Sequence, residues 1–323
     1  MSTATLVPET RDLKGDDAWA VLRRSRPTLT LKDAFMRMRA ADGFSHARSL
    51  AFMTALVTIQ GVIGLVGLAS VLDKGGVSQV IVRTLQGAVP GPVGLVLVTA
   101  VNQAHRAGAA HDYTAVILGL LGWLITATTA MGQVERGVNR LYGVEKDRPT
   151  LQKYGLGLLF AVSVGTLTSV AFACIAFGRD LFHPAANSEL GTVWTIVSWP
   201  VGLGLILLAV TMLFRYSPRR RQPRLSWLAF GSGISVLLWM ASTAGLGYFY
   251  RSSGSFGHTY GPLVGLVALL VWCLFSGISL FFGAAVSAQL EAIRAGHPVP
   301  QDLGKVLASE PDARPVQTIG VAS

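Results

Sequence analysis

Six stretches of this chain, residues 49–72, 113–131, 156–178, 192–214, 225–250 and 260–290, contain no Asp, Glu, Lys, Arg or His. Each has 19 residues or more. At about 1.5 Å per helical residue that is enough to cross a hydrocarbon core about 30 Å thick. The pattern predicts an all-α fold: a polytopic membrane bundle of about six transmembrane helices with further helices at the membrane interface. The chain is 51% hydrophobic and 14% charged, against about 25% charged for a soluble domain. Its apolar excess sits in blocks, which excludes a soluble protein with a large core.

The formal charge of +10 invites a nucleic-acid reading, but its distribution argues for topology instead. Lys and Arg number nine before the first stretch, then five, five and three in alternate connections and the tail; the connections between hold three, one and one. The positive-inside rule then predicts cytoplasmic termini. The basic loops are expected to touch anionic lipid headgroups, and no nucleic-acid partner is expected. The polar residues before the first stretch predict an uncleaved signal-anchor rather than a cleaved leader. Cys174 and Cys273 fall within predicted spans and read as free thiols.

Along the chain, residues 1–29 read as a flexible N-terminus and 30–294 as the membrane domain. Residues 295–323, with Pro298, Pro300, Pro311 and Pro315, read as a flexible tail. Leu31, Ala34, Phe35 and Met38 recur at helical spacing, with Lys32, Arg37 and Arg39 among them. That pattern predicts an amphipathic helix in the cytoplasmic interface. The long outer loop 73–112 predicts two short helices, over 77–88 and 93–101, separated by Pro90-Gly91-Pro92, each interfacial or partly re-entrant. Trp199-Pro200 predicts a bend in the fourth span. Trp227 and the aromatic cluster around Tyr248, Phe249, Tyr250 and Tyr260 are placed for the interfacial belts.

Chemistry has little to work with in the spans. All 17 acids and all six histidines lie outside them, so an intramembrane proton relay lacks its usual groups. There is no GxxxxGK[ST], no HExxH and no CxxC; no cofactor and no metal site is expected, and a non-enzymatic role is. The most structured polar stretch holds Glu135, Arg136, Asn139, Arg140, Tyr142 and Arg148. It reads as an elbow that binds headgroups or a partner, or as a salt-bridged turn that fixes the angle between two spans. Arg219, Arg220 and Arg221 form a second basic cluster, read as a topology determinant and lipid contact. Gly261 and Gly265, and the row Ser279, Gly283 and Ser287, are small residues at four-residue spacing. Such rows let helices approach closely, line a cavity, or form a face between two copies.

Several of these segments resemble the YihY/BrkB family of bacterial inner-membrane proteins. The carrying residues are Asn139-Arg140-Leu141-Tyr142-Gly143-Val144-Glu145 with Arg148-Pro149, then Tyr216-Ser217-Pro218. The last block runs from Tyr260-Gly261-Pro262-Leu263 through Trp272 to Gly283-Ala284 and Gln289-Leu290. The first span departs from the family, with Phe52-Met53 and Gln60 at places that often hold tyrosines and a proline. The resemblance implies a multi-pass plasma-membrane protein of envelope integrity that moves or binds a lipid or envelope precursor. A scaffold that recruits envelope machinery is the alternative. A membrane nuclease or hydrolase is a third reading, since some members carry a ribonuclease label.

Overall fold

The computed structural model describes residues 2–10, 13–71, 92–109, 113–177, 189–252, 263–302 and 304. Among these residues the regular secondary structure is helical, apart from one isolated bridge between Ala4 and Gln301. Two short helices come first, α1 (Gly15–Arg24) and α2 (Pro27–Ala40). Then follow α3 (Gly43–Val71), α4 (Pro92–Ala109), α5 (Tyr113–Leu141), α6 (Thr150–Phe177), α7 (Glu189–Tyr216), α8 (Leu225–Ser252) and α9 (Leu263–Arg294). All but α1, α2 and α4 are long and apolar enough to cross a membrane, which makes six spans.

The spans outrun the charge-free stretches, and most of the ionisable residues they take in lie at one end; Glu189, which opens α7, and Arg251, in the last turn of α8, lie at the other. His46 and Arg48 lie in the first turns of α3, Glu135, Arg136 and Arg140 in the last turns of α5, and Lys153 in the first turn of α6. This end also holds the first and last described segments, joined by the Ala4–Gln301 bridge. It is called the basic end below.

Each span packs on the next in a closed order, α3–α5–α6–α7–α8–α9 and back to α3. Helix α4 joins α3, α9 and, less, α5. Its Val93, Leu97, Ala100 and Val101 share one apolar cluster with Ala51, Ala55 and Val62 of α3 and with Ala268, Leu269 and Cys273 of α9. The first half of α4 is therefore wedged among span interiors, while Asn102, Gln103 and Arg106 near its other end are exposed. Of the two helices expected in 73–112, this one is longer than the sequence pattern suggested. The other, over 77–88, lies outside the described residues.

Three expectations change. Residues 2–10, read from sequence as flexible, run through the basic end with Ala4 and Val7 buried, and α1 buries Ala18 and Val21. The start of the tail is likewise paired: Thr5 donates its N–H to the Pro300 carbonyl, and Asp302 donates to Thr3. The remainder of the tail, 303 and 305–323, is outside the described residues. Trp227, expected in an interfacial belt, is fully buried, because α1, starting with Gly15 against Ser226, packs over the start of α8. Pro200 lies inside an uninterrupted α7, beside the exposed Trp199. Cys174 and Cys273 are both free.

Candidate functional site

The last turns of α9 organise the basic end. Phe281 and every residue from Gly283 to Ala292 are buried. A helix buried on all sides is a core helix, and the polar residues it carries there must be satisfied from neighbouring elements. Gln289 and Glu291 are both fully buried, and four segments converge on them.

Glu291 holds Arg220 bidentately, with Nη2 to Oε1 at 2.7 Å and Nη1 to Oε2 at 3.1 Å. The Thr10 hydroxyl donates to the same carboxylate. Arg220 also donates to the Pro8 carbonyl at 3.0 Å, and its guanidinium lies 4.4 Å from the centre of the Tyr142 ring. Burial, and next the Glu291 charge, push the Tyr142 phenol above its ordinary range.

Arg37 is fully buried, although its place in α2 suggested an interfacial cation. It donates from Nε to Gln289 Oε1 at 2.8 Å and from Nη1 to the carbonyls of Thr5 and Leu141 at 2.9 and 3.2 Å. Burial pulls its guanidinium down to about 10, so it stays charged at neutral pH. Gln289 in turn donates to the Pro298 carbonyl at 2.6 Å. One residue of α2 thus ties together the N-terminal segment, the end of α5 and, through Gln289, the tail.

The elbow between α5 and α6 forms a second layer. Gly143, at φ 74°, follows the last residues of α5 and lets the Val144 N–H bond back to the Asn139 carbonyl at 2.9 Å. This is the left-handed helix ending that glycine favours. A side chain there would also strike the backbone of Leu6. Glu135 is buried and paired with Arg148 at 3.3 Å. Arg148 reaches over to the carbonyls of Tyr216 and Pro218 at 3.2 and 3.0 Å. Asn139, fully buried, accepts the Arg219 N–H at 2.7 Å and donates to Asp147 at 3.1 Å. Asp147 also gathers Arg136, Lys153 and Arg140 at 3.6, 3.7 and 4.0 Å.

The two basic loops read separately from sequence are therefore one structure. Glu135, Arg136, Asn139, Arg140, Tyr142, Arg148, Arg219 and Arg220 interlock. Arg221 keeps an exposed side chain and meets the group only through its backbone N–H to Glu9. The buried carboxylates Glu135 and Glu291 are each held by an arginine, and Asp147 by three cations, so they act here as counter-ions. Among the described residues no three His, Cys, Asp or Glu side chains assemble as a metal-binding group.

The small residues occupy a different contact. Ser279, Gly283 and Ser287 face α8, where Ser235 donates to the Ser279 carbonyl at 2.9 Å and Gly231 lies against Gly283 and Ser287. Gly265 is buried in α9, and Gly261 lies outside the described residues. Sequence reasoning missed Arg37, Gln289 and Glu291 as members of the group, together with the entire segment 2–10. A signal for Glu291 was present, since Gly283, Ser287 and Glu291 continue one four-residue row.

Comparison with known proteins bears on this geometry. A family model described as "Virulence factor BrkB" matches residues 34–302. A "Putative ribonuclease-like protein YfkH" of Bacillus subtilis is 21% identical over 267 residues, covering 80% of this chain and 94% of that protein. The "UPF0761 membrane protein RSc1559" of Ralstonia nicotianae is 26% identical, covering 65% of this chain and 46% of its own length. A UPF0761 membrane protein of Halorhodospira halophila is 27% identical, covering 58% of this chain and 41% of its own. The chain thus spans less than half the length of these UPF0761 relatives. No solved structure matches.

Proposed function

The chain belongs to the BrkB virulence-factor family and is an integral membrane protein, and from that premise we propose that it binds or moves an amphiphilic lipid or envelope precursor in the bacterial plasma membrane. Both termini face the cytoplasm, and the protein acts without covalent chemistry. The observation that carries this reading is the asymmetry of the bundle. The basic end is closed by a buried polar knot, whereas a short helix, α4, is wedged among the spans from the other side. Any lipid-sized ligand would enter from the α4 side, and the knot would be the fixed base. The charge-free spans suit an acyl chain, and the basic loops suit the anionic inner leaflet.

Photo-crosslinking of the purified protein with a diazirine phospholipid tests the reading. Labelling several-fold above that of an unrelated six-span protein is the expected result, concentrated on α4 and the faces of α3 and α9 that meet it. Equal labelling of the two proteins would sink the proposal.

Orientation is tested separately in intact cells, with single cysteines and an impermeant thiol reagent. Arg106→Cys, on the exposed end of α4, should react directly. Arg221→Cys should react only after permeabilisation. Arg221 is the informative position in its loop because the neighbouring Arg220 side chain is buried. The reverse pattern would invert the topology.

A further inference from the structure

We propose that α1 and α2, each packed on the spans rather than on one another, lie in the membrane plane and dock on the anionic headgroups of the membrane leaflet at the basic end. Both helices use one face to close the knot. Helix α1 buries Ala18 and Val21, and α2 buries Thr30, Ala34, Arg37 and Met38. What they leave uncovered is unusual for a water-facing surface. Trp19, Leu29, Leu31, Phe35 and Met36 are 51%, 50%, 42%, 43% and 37% exposed.

Two ring contacts place this apolar surface at the height of the span ends. Trp19 meets Phe230 at 6.4 Å between ring centres, five residues beyond the start of α8. Phe35 meets Phe44 edge-on at 5.8 Å, at the second residue of α3. The exposed apolar surface is therefore continuous with the lipid-facing surface of two spans rather than projecting into solution.

The charge on the same surface selects the occupant. Arg23, Arg24, Arg26, Lys32 and Arg39 are exposed. Arg23 stacks on Trp19 with its guanidinium 5.2 Å from the ring centre. On α2, Lys32 and Arg39 lie between the Leu31–Phe35 edge and the Leu29–Met36 edge, at helical angles that the acid Asp33 does not share. Lys and Arg can lay their methylene stems along such apolar edges and keep the charge at headgroup height. An apolar face rimmed by cations is the pattern of a helix lying in the interface of an anionic membrane. Arg37 is buried with Ala18, Val21, Ala34 and Met38 on the inner face, which leaves the docking cations at the periphery.

The docking itself does not depend on which compartment this end faces. Only its assignment to the inner leaflet rests on the orientation proposed above. Full-length protein with Cys174 and Cys273 replaced by alanine is spin-labelled at Trp19→Cys, Phe35→Cys or, as an aqueous reference, Val299→Cys, which is 58% exposed. Each sample is reconstituted in phosphatidylcholine alone and in an equimolar mixture with phosphatidylglycerol. Oxygen and a nickel chelate then report lipid and water. The expected result is several-fold higher oxygen than nickel accessibility at 19 and 35 in the mixture. The ratio should fall in phosphatidylcholine alone and in a Lys32→Glu/Arg39→Glu variant, and be reversed at 299. Labels at 19 and 35 as open to nickel as the one at 299 would overturn the proposal. So would a lipid-buried signal indifferent to phosphatidylglycerol and to the charge reversal. Labels closed to both reagents would show a protein contact on this face and would overturn it as well.

Discussion

Glu291→Ala is expected to lower the unfolding free energy by about 3–5 kcal/mol, the cost of removing one partner from a buried ion pair. The carboxylate is fully buried and accepts two guanidinium bonds and the Thr10 hydroxyl. Its loss leaves the Arg220 charge with the Pro8 carbonyl and the Tyr142 ring as partners. Arg220→Ala should cost a similar amount for the reciprocal reason. The double variant should cost clearly less than the two together, because no buried charge is then left unpaired. Denaturation of the purified protein in detergent, run as a double-mutant cycle, measures this directly. Two losses that add to within about 0.5 kcal/mol would mean that the pair is not coupled, and would remove Glu291 from the centre of the knot. The same variants should raise proteolysis within residues 2–10, since Thr10 loses its bond to Glu291 in one and Pro8 its bond to Arg220 in the other.

The contrast between what the chain spelled out and what it concealed follows from the range of the interactions. Spans are written locally: an uninterrupted apolar run must close its own hydrogen bonds in lipid, so all six could be located without any knowledge of packing. The elbow was half legible. Glu135 with Asn139 and Arg136 with Arg140 fall on shared helix faces, and α5 does carry them in its last turns. What sequence spacing could not convey is that Arg148 and Asn139 bind the loop at 216–219 across a separation of about 70 to 80 residues. Arg37 shows the limit most clearly. At its position the hydrophobic periodicity of α2 is satisfied equally by an arginine that snorkels outward and by one that turns in towards Gln289. The choice is made by acceptors from residues 5, 141 and 289, none of which is near in sequence. Residues 2–10 look polar and featureless for the same reason: their order comes from backbone pairing with the far end of the chain.

Gly283→Ala should be as damaging as the loss of the ion pair, through sterics rather than charge. Helices α8 and α9 approach so closely that a methyl group at Gly283 would stand on the Gly231 carbonyl and the Ser235 hydroxyl. One at Gly231 would stand on the Gly283 carbonyl and the Ser287 hydroxyl. A flexible side chain can swing aside, but a helix carbonyl cannot, so the helices themselves must separate. Overpacking of this kind costs about 1–3 kcal/mol and more where the backbone is the obstacle. Separation would also strain the Ser235 bond to the Ser279 carbonyl and displace the neighbouring turn that carries Glu291. Ser235→Gly in the Gly283→Ala background should recover only part of the loss, because the carbonyl contact remains. Gly233→Ala and Gly245→Ala are the internal controls: both lie in α8 with nothing near the new methyl, and alanine's higher helix propensity, up to about 1 kcal/mol, should make them neutral or stabilising. Thermal denaturation of the four variants in one detergent tests the argument. A Gly283→Ala protein that melts with the two controls would show that α8 and α9 are not in backbone contact, and the close-packed row would lose its role as the seam that positions the knot.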